Sequence, residues 1–146
     1  MYSLSWDKKF IKLCNHIASW SKDNSTKVGA VVVNSRNKIL SIGYNGMPIG
    51  IDDNKEERHI RPEKYLWFAH AEENLIASAA EEGISLRNGK LYCNYLPCPR
   101  CSRLIIQSGI KQVIYQKDKL ESESEPNKTS VEMLHEAKVL LRKISI

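Results

Sequence analysis

The sequence lacks any apolar run long enough to cross a membrane. Its longer apolar stretches, VGAVVV at 28–33 and LIASAA at 75–80, fall far short of the roughly 20 residues that a transmembrane helix needs. The first residues, MYSLSWDKKF, contain no apolar segment that could act as a signal peptide. We therefore expect a cytoplasmic protein without a membrane partner.

Internal repeats and blocks of like charge are also missing. The 22 Lys and Arg residues exceed the 17 Asp and Glu residues, which leaves a net charge of +5. Because no long block of one sign occurs, this excess favours a solvated surface over a nucleic-acid-binding face, and no nucleic-acid partner is expected. A small positive excess is compatible with a ligand that carries phosphate.

Length and composition are those of one globular domain. The chain has 146 residues, of which 42% are hydrophobic and 27% charged, so residues 1–146 are expected to form a single domain. Cysteine is scarce, with four residues in the chain. In a reducing cytosol these are not expected to form a disulfide framework. Only Cys98 and Cys101 lie close together in the sequence.

Hydrophobic periodicity alternates between helical and strand patterns along the chain. It predicts helices at 5–20, 69–82, 98–108 and 129–136, and strands at 28–33, 39–44, 91–93, 113–115 and 139–144. The first helix is expected to bury the face that carries Trp6, Phe10, Leu13, Ile17 and Trp20. A strand, a helix and a strand joined by short loops imply parallel strands. We therefore predict an α/β fold of three layers, with a five-stranded mixed sheet and helices on both faces.

Two segments are expected to be irregular. Residues 45–61 contain Asn-Gly, Met-Pro and a further glycine, and loops of this length in a compact domain usually carry function. The acidic, serine-rich segment ESESEPNK at 121–128 is expected to be a solvated loop.

Two short motifs together predict a metal site. His70 and Glu72 stand at the start of one predicted helix, and Pro97, Cys98 and Cys101 stand at the start of the next. Zinc favours thiolate and imidazole ligands, and a catalytic zinc keeps three protein ligands and an open position. His70, Cys98 and Cys101 would supply those three ligands. The alternatives are a redox-active Cys pair and a structural zinc site completed by Cys93.

A carboxylate beside such a metal would serve as a proton shuttle. Zinc lowers the pKa of a bound water from 15.7 to about 7, and Glu72, two residues after His70, is close enough to exchange a proton with it. The order H-x-E followed by P-C-x-x-C matches the signature of the zinc deaminases.

The remaining cysteines and histidines are assigned to packing or to the surface. Cys14 and Cys93 are expected to be buried apolar thiols. His16 and His135 are expected to lie on the surface or to pack, and so is His59. A second metal at His59 with Asp52 and Asp53 is the alternative for that residue.

At these motifs the sequence resembles the cytidine/deoxycytidylate deaminase superfamily, and within it most the deoxycytidylate deaminases. The resemblance covers residues 27–53 with their GYNGMPIG loop, HAEENLI at 70–76 and PCPRCSRLIIQSGIKQVIYQKDK at 97–119. The GYNGMP loop separates this group from tRNA adenosine deaminases and from nucleoside cytidine deaminases. The resemblance implies a cytidine-deaminase-like fold.

The implied activity is that of a hydrolase acting on the C–N bond of a cyclic amidine. It converts dCMP to dUMP with release of ammonia and supplies dUMP for thymidylate synthesis. One catalytic Zn²⁺ per chain would be held by His70, Cys98 and Cys101, with Glu72 moving protons between water, the pyrimidine N3 and the leaving amino group. The implied substrate-binding residues are Lys27, Asn45, Ala71, Tyr95 and Leu96. Of these, Asn45 would hold the deoxyribose hydroxyl and Lys27 the 5′-phosphate.

The resemblance also implies regulation. Many members are homo-oligomers, commonly hexamers, that are activated by dCTP with Mg²⁺ and inhibited by dTTP. Gly46 and Gly50 match glycines of that regulatory site, where the missing side chain lets the backbone approach a triphosphate. Ile51 departs from the polar or cysteine residue usual after the second glycine. The segment at 79–88 resembles compact bacterial and phage members, so the protein could act in a host cytoplasm.

Four other functions stay open at this point. The first is deamination of another free or modified cytosine nucleotide. The second is deamination of adenosine in tRNA. The third is a deaminase fold that binds nucleotides without catalysis, which the presence of Glu72 disfavours. The fourth is a polynucleotide deaminase, for which Trp67 and Phe68 could form an aromatic channel, although such a pair more often belongs to the core.

Overall fold

A five-stranded mixed sheet lies at the centre of the computed structural model, which describes residues 4–118 and 124–146. The helices are α1 (Leu4–Ala18), α2 (Lys64–Trp67), α3 (Ala71–Glu82), α4 (Pro99–Gln107) and α5 (Ser124–Glu136), and a 3-10 helix spans Glu56–His59. The strands are β1 (Gly29–Val33), β2 (Ile39–Tyr44), β3 (Lys90–Tyr95), β4 (Gln112–Lys117) and β5 (Leu140–Lys143).

The order of strands in the sheet is β2-β1-β3-β4-β5. Strand β1 is antiparallel to both of its neighbours, whereas β3, β4 and β5 are parallel to one another. The parallel half follows from the helical crossovers α4 and α5, because strands joined through a helix on one face run in the same direction. Strand β1 is buried along its whole length, which fits a strand covered on both faces.

Helices cover both faces of the sheet, which confirms the predicted three-layer α/β fold. On one face, Phe10, Ile11 and Ile17 of α1 pack against Val31 and Tyr92. On the other face, α3, α4 and α5 share a second core with the sheet. Buried members of that core are Leu75, Ala79, Ile105 and Leu134 from the helices and Ala30, Val32, Leu91 and Val113 from the strands. Cys14 and Cys93 are fully buried in these two cores, as predicted.

The buried face of α1 differs from the predicted one. Trp6 is 42% exposed, whereas Asp7 is buried. The helix ends at Ala18 and not at residue 20, so Trp20, which is 47% exposed, lies beyond it. The Asp7 carboxylate accepts hydrogen bonds from the Tyr92 hydroxyl at 2.6 Å and from Arg142 at 2.9 Å. Periodicity predicted apolar side chains on the buried face of α1, but this face also carries an ion pair with β5.

Several element boundaries also differ from the predictions. Helix α5 begins at Ser124 rather than at 129, so residues 124–128 of the expected loop are helical, whereas 121–123 lie outside the described residues. Pro126 falls in the first turn of α5, where its missing N–H breaks no helical hydrogen bond. The segment 45–61, predicted to be irregular, contains the 3-10 helix, and α2 follows it.

Within the described ranges 4–118 and 124–146, every helix is too short or too polar to cross a lipid bilayer.

Helix α3 lies unusually close to strand β2, and Gly43 makes this approach feasible. A Cβ atom built on Gly43 would lie 2.3 Å from the Ala71 carbonyl oxygen and 2.6 Å from the Leu75 amide nitrogen. The Ser41 hydroxyl fixes the same helix by donating to the Leu75 carbonyl at 2.8 Å. The absence of a side chain at Gly43 therefore determines how closely the first turns of α3 approach β2.

We expect Gly43→Ala to lower the free energy of unfolding by about 1–3 kcal/mol, because the added methyl group meets backbone atoms that must move. Urea denaturation followed by circular dichroism measures this change. The matched control is Gly46→Ala, whose Cβ would meet only the Tyr44 ring, at 3.9 Å. Equal stability of the two variants would contradict the packing argument.

Candidate metal centre

Three side chains converge where α3 and α4 begin. The Nδ1 atom of His70 lies 3.4 Å from Cys98 Sγ and 3.3 Å from Cys101 Sγ. All three donor atoms lie within 4.8 Å of one another. In the part of the chain that the structure describes, this is the one cluster of three or more His, Cys, Asp and Glu side chains that could hold a metal ion. The predicted ligands are thus brought together from two separate segments.

Local helix geometry places these donors. His70 is the N-cap of α3 and Cys98 is the N-cap of α4, and both have extended backbone angles. Cys101 lies in the first turn of α4, where its N–H donates to Cys98 Sγ at 3.5 Å. Pro99 occupies the first helical position, which its fixed φ angle suits. Cys98 and Cys101 therefore flank the beginning of one helix, and His70 approaches from the beginning of another.

A carboxylate links the two helix starts. Glu73 Oε1 accepts a hydrogen bond from the His70 N–H at 2.8 Å and another from Arg100 Nη2 at 3.0 Å. Because Arg100 lies between the two cysteines in the sequence, Glu73 connects the backbone of the imidazole donor to the segment that carries the thiols.

The electrostatics of the cluster favour a negatively charged sulfur. Hydrogen bonds from Cys101 and then from His70 lower the pKa of Cys98 to about 3, although burial opposes this shift. The pKa of Cys101 is raised, because its thiol is the donor to Cys98. The hydrogen bond to Cys98 raises the pKa of His70. Two sulfurs and an imidazole nitrogen form a soft donor set of the kind that Zn²⁺ prefers.

Glu72 lies beside this donor set in the first turn of α3. Its side chain is buried, and the residue lines the same cavity as His70 and Cys98. The cavity has a volume of about 600 Å³, which suits a small organic ligand. The cavity thus brings a carboxylate together with two of the three donors.

Charged, polar and aromatic side chains line the rest of this cavity, which we call the substrate cavity. The polar members are Asp23, Ser25, Thr26, Asn45, Arg61, Lys64 and Arg100, and the aromatic members are Tyr65, Phe68 and Tyr95. Phe68 therefore faces this cavity, where the sequence favoured a place in the core, and Pro126 of α5 forms part of the wall.

The predicted substrate-binding residues fall into two groups. Asn45, Ala71 and Tyr95 line the substrate cavity. Leu96 is 1% exposed and Lys27 donates to the Ser21 carbonyl at 2.7 Å, and neither is among the residues that line the cavity.

Six polar residues of the cavity were not found from the sequence, namely Asp23, Ser25, Thr26, Arg61, Lys64 and Arg100. Asp23 forms a local turn in which its Oδ1 accepts from the N–H of Ser25 at 2.8 Å and of Thr26 at 3.2 Å. The Asp-x-Ser-Thr sequence could have revealed that turn. The cationic residues lie in mixed-charge segments and give no comparable signal.

A second cavity, of about 370 Å³, lies on the other side of the 45–68 segment. Trp20, Lys22, Tyr44, Gly46 and His59 are among the residues that line it, and Asn45 and Phe68 line both cavities. Gly50, with φ of +90°, is exposed and lies outside both sets of lining residues.

The alternative of a second metal at His59 is not formed. His59 Nε2 lies 2.6 Å from the backbone oxygen of Asp53, and the Asp53 carboxylate pairs with Lys22 at 3.0 Å. Among the described residues, no metal-binding group of three includes His59, Asp52 or Asp53.

Comparison with known proteins gives consistent matches. Residues 4–117 match the model of a family described as the cytidine and deoxycytidylate deaminase zinc-binding region. The chain is 43% identical over 110 residues to an uncharacterized deaminase of Aliivibrio fischeri, covering 74% of this chain and 70% of that one. It is 38% identical over 127 residues to the deoxycytidylate deaminase of Homo sapiens, covering 84% and 70%. A crystal structure of the dCMP deaminase of cyanophage S-TIM5, in complex with dCMP and dUMP, matches with a TM-score of 0.82 at 26% identity, covering 99% of this chain and 100% of that chain.

We expect Cys101→Ala to lose bound zinc, because two donors cannot hold a site that normally needs three protein ligands. The matched control is Cys93→Ala, which removes a buried sulfur that belongs to the core and not to the donor cluster. Elemental analysis of the purified proteins measures zinc per chain. Full zinc content in Cys101→Ala, or loss of zinc in Cys93→Ala alone, would show that the site is assigned wrongly.

Proposed function

The chain belongs to the cytidine and deoxycytidylate deaminase family and is a hydrolase of C–N bonds, and from this premise we propose that it deaminates dCMP to dUMP in the cytoplasm. The observation that carries the proposal is the placement of the Glu72 carboxylate in one cavity with His70 and Cys98, two members of the donor set that Cys101 completes. The product dUMP would supply thymidylate synthesis.

Zinc is the metal that fits the donors. His70, Cys98 and Cys101 would hold one Zn²⁺ per chain, since an imidazole and two sulfurs within 4.8 Å of one another form a three-ligand set with room for a further ligand. When bound, Zn²⁺ makes water acidic enough to supply hydroxide at neutral pH.

Glu72 would carry the protons of the reaction. Hydrolysis adds water at C4 of the cytosine ring and expels the 4-amino group as ammonia, so one proton must reach N3 and another must reach the departing nitrogen. A single carboxylate meets both needs if it accepts one proton from water and delivers it to N3, and then takes the proton of the new C4 hydroxyl and delivers it to the departing nitrogen. Burial of Glu72 in the cavity keeps bulk water from competing for these transfers.

The cavity walls offer contacts for the rest of the nucleotide. Ala71 is the first residue of α3, and an N–H at this position has no carbonyl partner within its helix, so we assign it to the pyrimidine edge. Asn45 is assigned to the deoxyribose hydroxyl. Tyr95 would line the base and sugar pocket, with Leu96 packed behind it. Arg61 and Arg100 are cations that line the cavity and suit a 5′-phosphate, whereas Lys27 is the candidate from the family resemblance.

Regulation by dCTP with Mg²⁺, and inhibition by dTTP, is a further part of the proposal. The second cavity includes Gly46 and Lys22 and shares Asn45 and Phe68 with the substrate cavity, so a ligand there would contact the wall of the substrate site. Gly50 belongs to the same loop. We also propose a homo-oligomer, namely a hexamer, for which the exposed Ile39, Ile42 and Tyr44 of β2 provide apolar surface.

An ammonia-release assay tests the function. The purified zinc protein is incubated with dCMP, CMP, deoxycytidine, dCTP, single-stranded DNA and a tRNA, each with and without dCTP and Mg²⁺. We expect turnover of dCMP, with a sigmoidal rate curve that dCTP makes hyperbolic. Preference for another free cytosine nucleotide would favour the alternative substrate class. Inactivity on all free nucleotides would contradict the proposal, and a rate curve unaffected by dCTP would contradict the regulation.

Glu72→Gln serves as the matched inactive variant in this assay. The amide keeps the shape of the side chain but cannot take up a proton, so we expect unchanged zinc content and a loss of turnover of about 10²–10⁴-fold or more. Zinc analysis and the rate of ammonia release are measured on the same sample. Retained turnover in a zinc-loaded Glu72→Gln protein would exclude Glu72 as the proton shuttle.

Arg61→Gln tests the phosphate contact. We expect the kcat/KM for dCMP to fall by about 10–100-fold, the value of a hydrogen bond to a charged group, while the kcat/KM for deoxycytidine stays unchanged. Lys27→Gln is compared in the same assay, because Lys27 is the alternative phosphate ligand. A larger selective loss in Lys27→Gln than in Arg61→Gln would transfer the assignment to Lys27.

A further inference from the structure

A buried ion pair forms part of the wall of the substrate cavity, and the proposed chemistry does not use it. Lys64 Nζ lies 2.8 Å from Asp23 Oδ1 and 2.7 Å from Asp23 Oδ2, and the two side chains are 9% and 4% exposed. Asp23 lies in the loop between α1 and β1, and Lys64 is the first residue of α2. Because two charges removed from water cost free energy that their attraction barely offsets, such a pair calls for a role other than stability.

Asp23 is the centre of a larger hydrogen-bond network. Its carboxylate accepts from the Ser25 N–H at 2.8 Å, the Ser25 hydroxyl at 2.9 Å and the Thr26 N–H at 3.2 Å, in addition to Lys64. Lys64 and these donors lower the pKa of Asp23, although burial opposes the shift. Asp23 also accepts from Asn45 Nδ2 at 3.2 Å.

The contact with Asp23 is one of three that orient the Asn45 amide. The Nδ2 group has two hydrogens, which go to Asp23 and to the Thr26 carbonyl at 2.8 Å. The Oδ1 atom accepts from the Val28 N–H at 2.8 Å. If the amide were flipped, its oxygen would face the Asp23 carboxylate and its NH₂ group would face the Val28 N–H, so both contacts would be repulsive. Asp23, the Thr26 carbonyl and the Val28 N–H therefore select one orientation together, and Asp23 is the member of this set that carries a charge.

The hydrogen bonds of the Asn45 side chain leave one acceptor site for a ligand. Both N–H groups of the Asn45 amide are used, and one of the two lone pairs on Oδ1 is taken by Val28. The remaining capacity of the side chain is a single acceptor site. An Asn45 side chain in this state can recognise a hydroxyl on a ligand, because a hydroxyl donates, but it cannot recognise a group that only accepts.

We propose that Asp23, held in place by Lys64, is a positioning residue that fixes the Asn45 amide so that the substrate cavity selects a sugar hydroxyl. The inference rests on the proposed function for the identity of the substrate, whereas the orientation of the amide is independent of it. Asp23 acts through Asn45 and need not touch the reacting atoms.

A cycle between substrate and enzyme tests this role. The substrates are dCMP and 2′,3′-dideoxycytidine 5′-monophosphate, which lacks the 3′-hydroxyl. The enzymes are wild type, Asp23→Asn, Lys64→Met and Lys64→Arg, with Lys143→Met as control because it removes an exposed ion pair with Asp118 on another part of the surface. Both kcat and KM are measured for each combination.

We expect wild type to prefer dCMP by about 10-fold, the value of one hydrogen bond at the high end of the neutral range. In Asp23→Asn and Lys64→Met this preference should fall toward 1, mainly through a raised KM for dCMP, with little change for the dideoxy substrate. Lys64→Arg and Lys143→Met should keep the wild-type preference. An equal loss of kcat/KM for both substrates would mean a merely structural or phosphate-binding role and would overturn the proposal.

A second measurement does not depend on activity. The side-chain amide protons of Asn45, observed by ¹H–¹⁵N NMR, should exchange slowly with solvent in wild type and faster in folded Asp23→Asn or Lys64→Met. Unchanged exchange in both variants would overturn the inference, even for an enzyme inactive on dCMP. Inactive wild type with the expected exchange behaviour would instead overturn the proposed substrate and leave the positioning role supported.

Discussion

The close meeting of two helix starts is the constraint on which the rest of this structure depends. The His70 imidazole must lie within about 3.5 Å of two sulfurs that belong to a different helix, and the distances are 3.4 and 3.3 Å. Gly43 lets α3 lie against β2 at the required depth, and the parallel β3-α4-β4 unit places Cys98 and Cys101 at the beginning of α4. Both helices begin at this cluster, so their N-terminal dipoles favour the negative charge of a thiolate and of a nearby carboxylate.

The segment that connects β2 to α3 supplies part of the cavity wall beside this donor cluster. It supplies Asn45 at one end and Phe68 at the other, and both residues line two cavities. The buried pair of Asp23 and Lys64 fastens the segment to the loop before β1. Because a buried carboxylate attracts every nearby N–H group, one charge organises a loop, a short helix and an amide side chain together. The candidate metal donors and the polar residues of the cavity wall therefore come from different parts of the fold that meet at one cavity.

Pattern and residue type predicted most of the architecture and the metal donors. The structure agrees with the predicted buried VGAVVV strand, the hairpin after it and the crossover helix between β3 and β4. It also agrees with the division of the cysteines into two core residues and two clustered residues. The exposed position of Trp6 was not predictable from periodicity, because the burial of Asp7 depends on Arg142 and Tyr92, which are distant in sequence. Trp20 lies beyond the end of α1 at Ala18, so the helical period does not apply to it. The start of α5 was also missed, since an acidic segment with a proline fits a loop and a first helical turn equally well.

The sequence by itself determined the layered α/β fold, because period and spacing are local properties. It also identified His70, Cys98 and Cys101 as candidate metal donors and Glu72 as the adjacent carboxylate. The tertiary structure alone decided which cations line the cavity, that Lys27 turns to the Ser21 carbonyl, and that Asp23 and Lys64 are buried together. These features join residues from segments far apart in the chain. Local spacing does not predict such pairs, because the charged and amide side chains become buried only when the segments pack together.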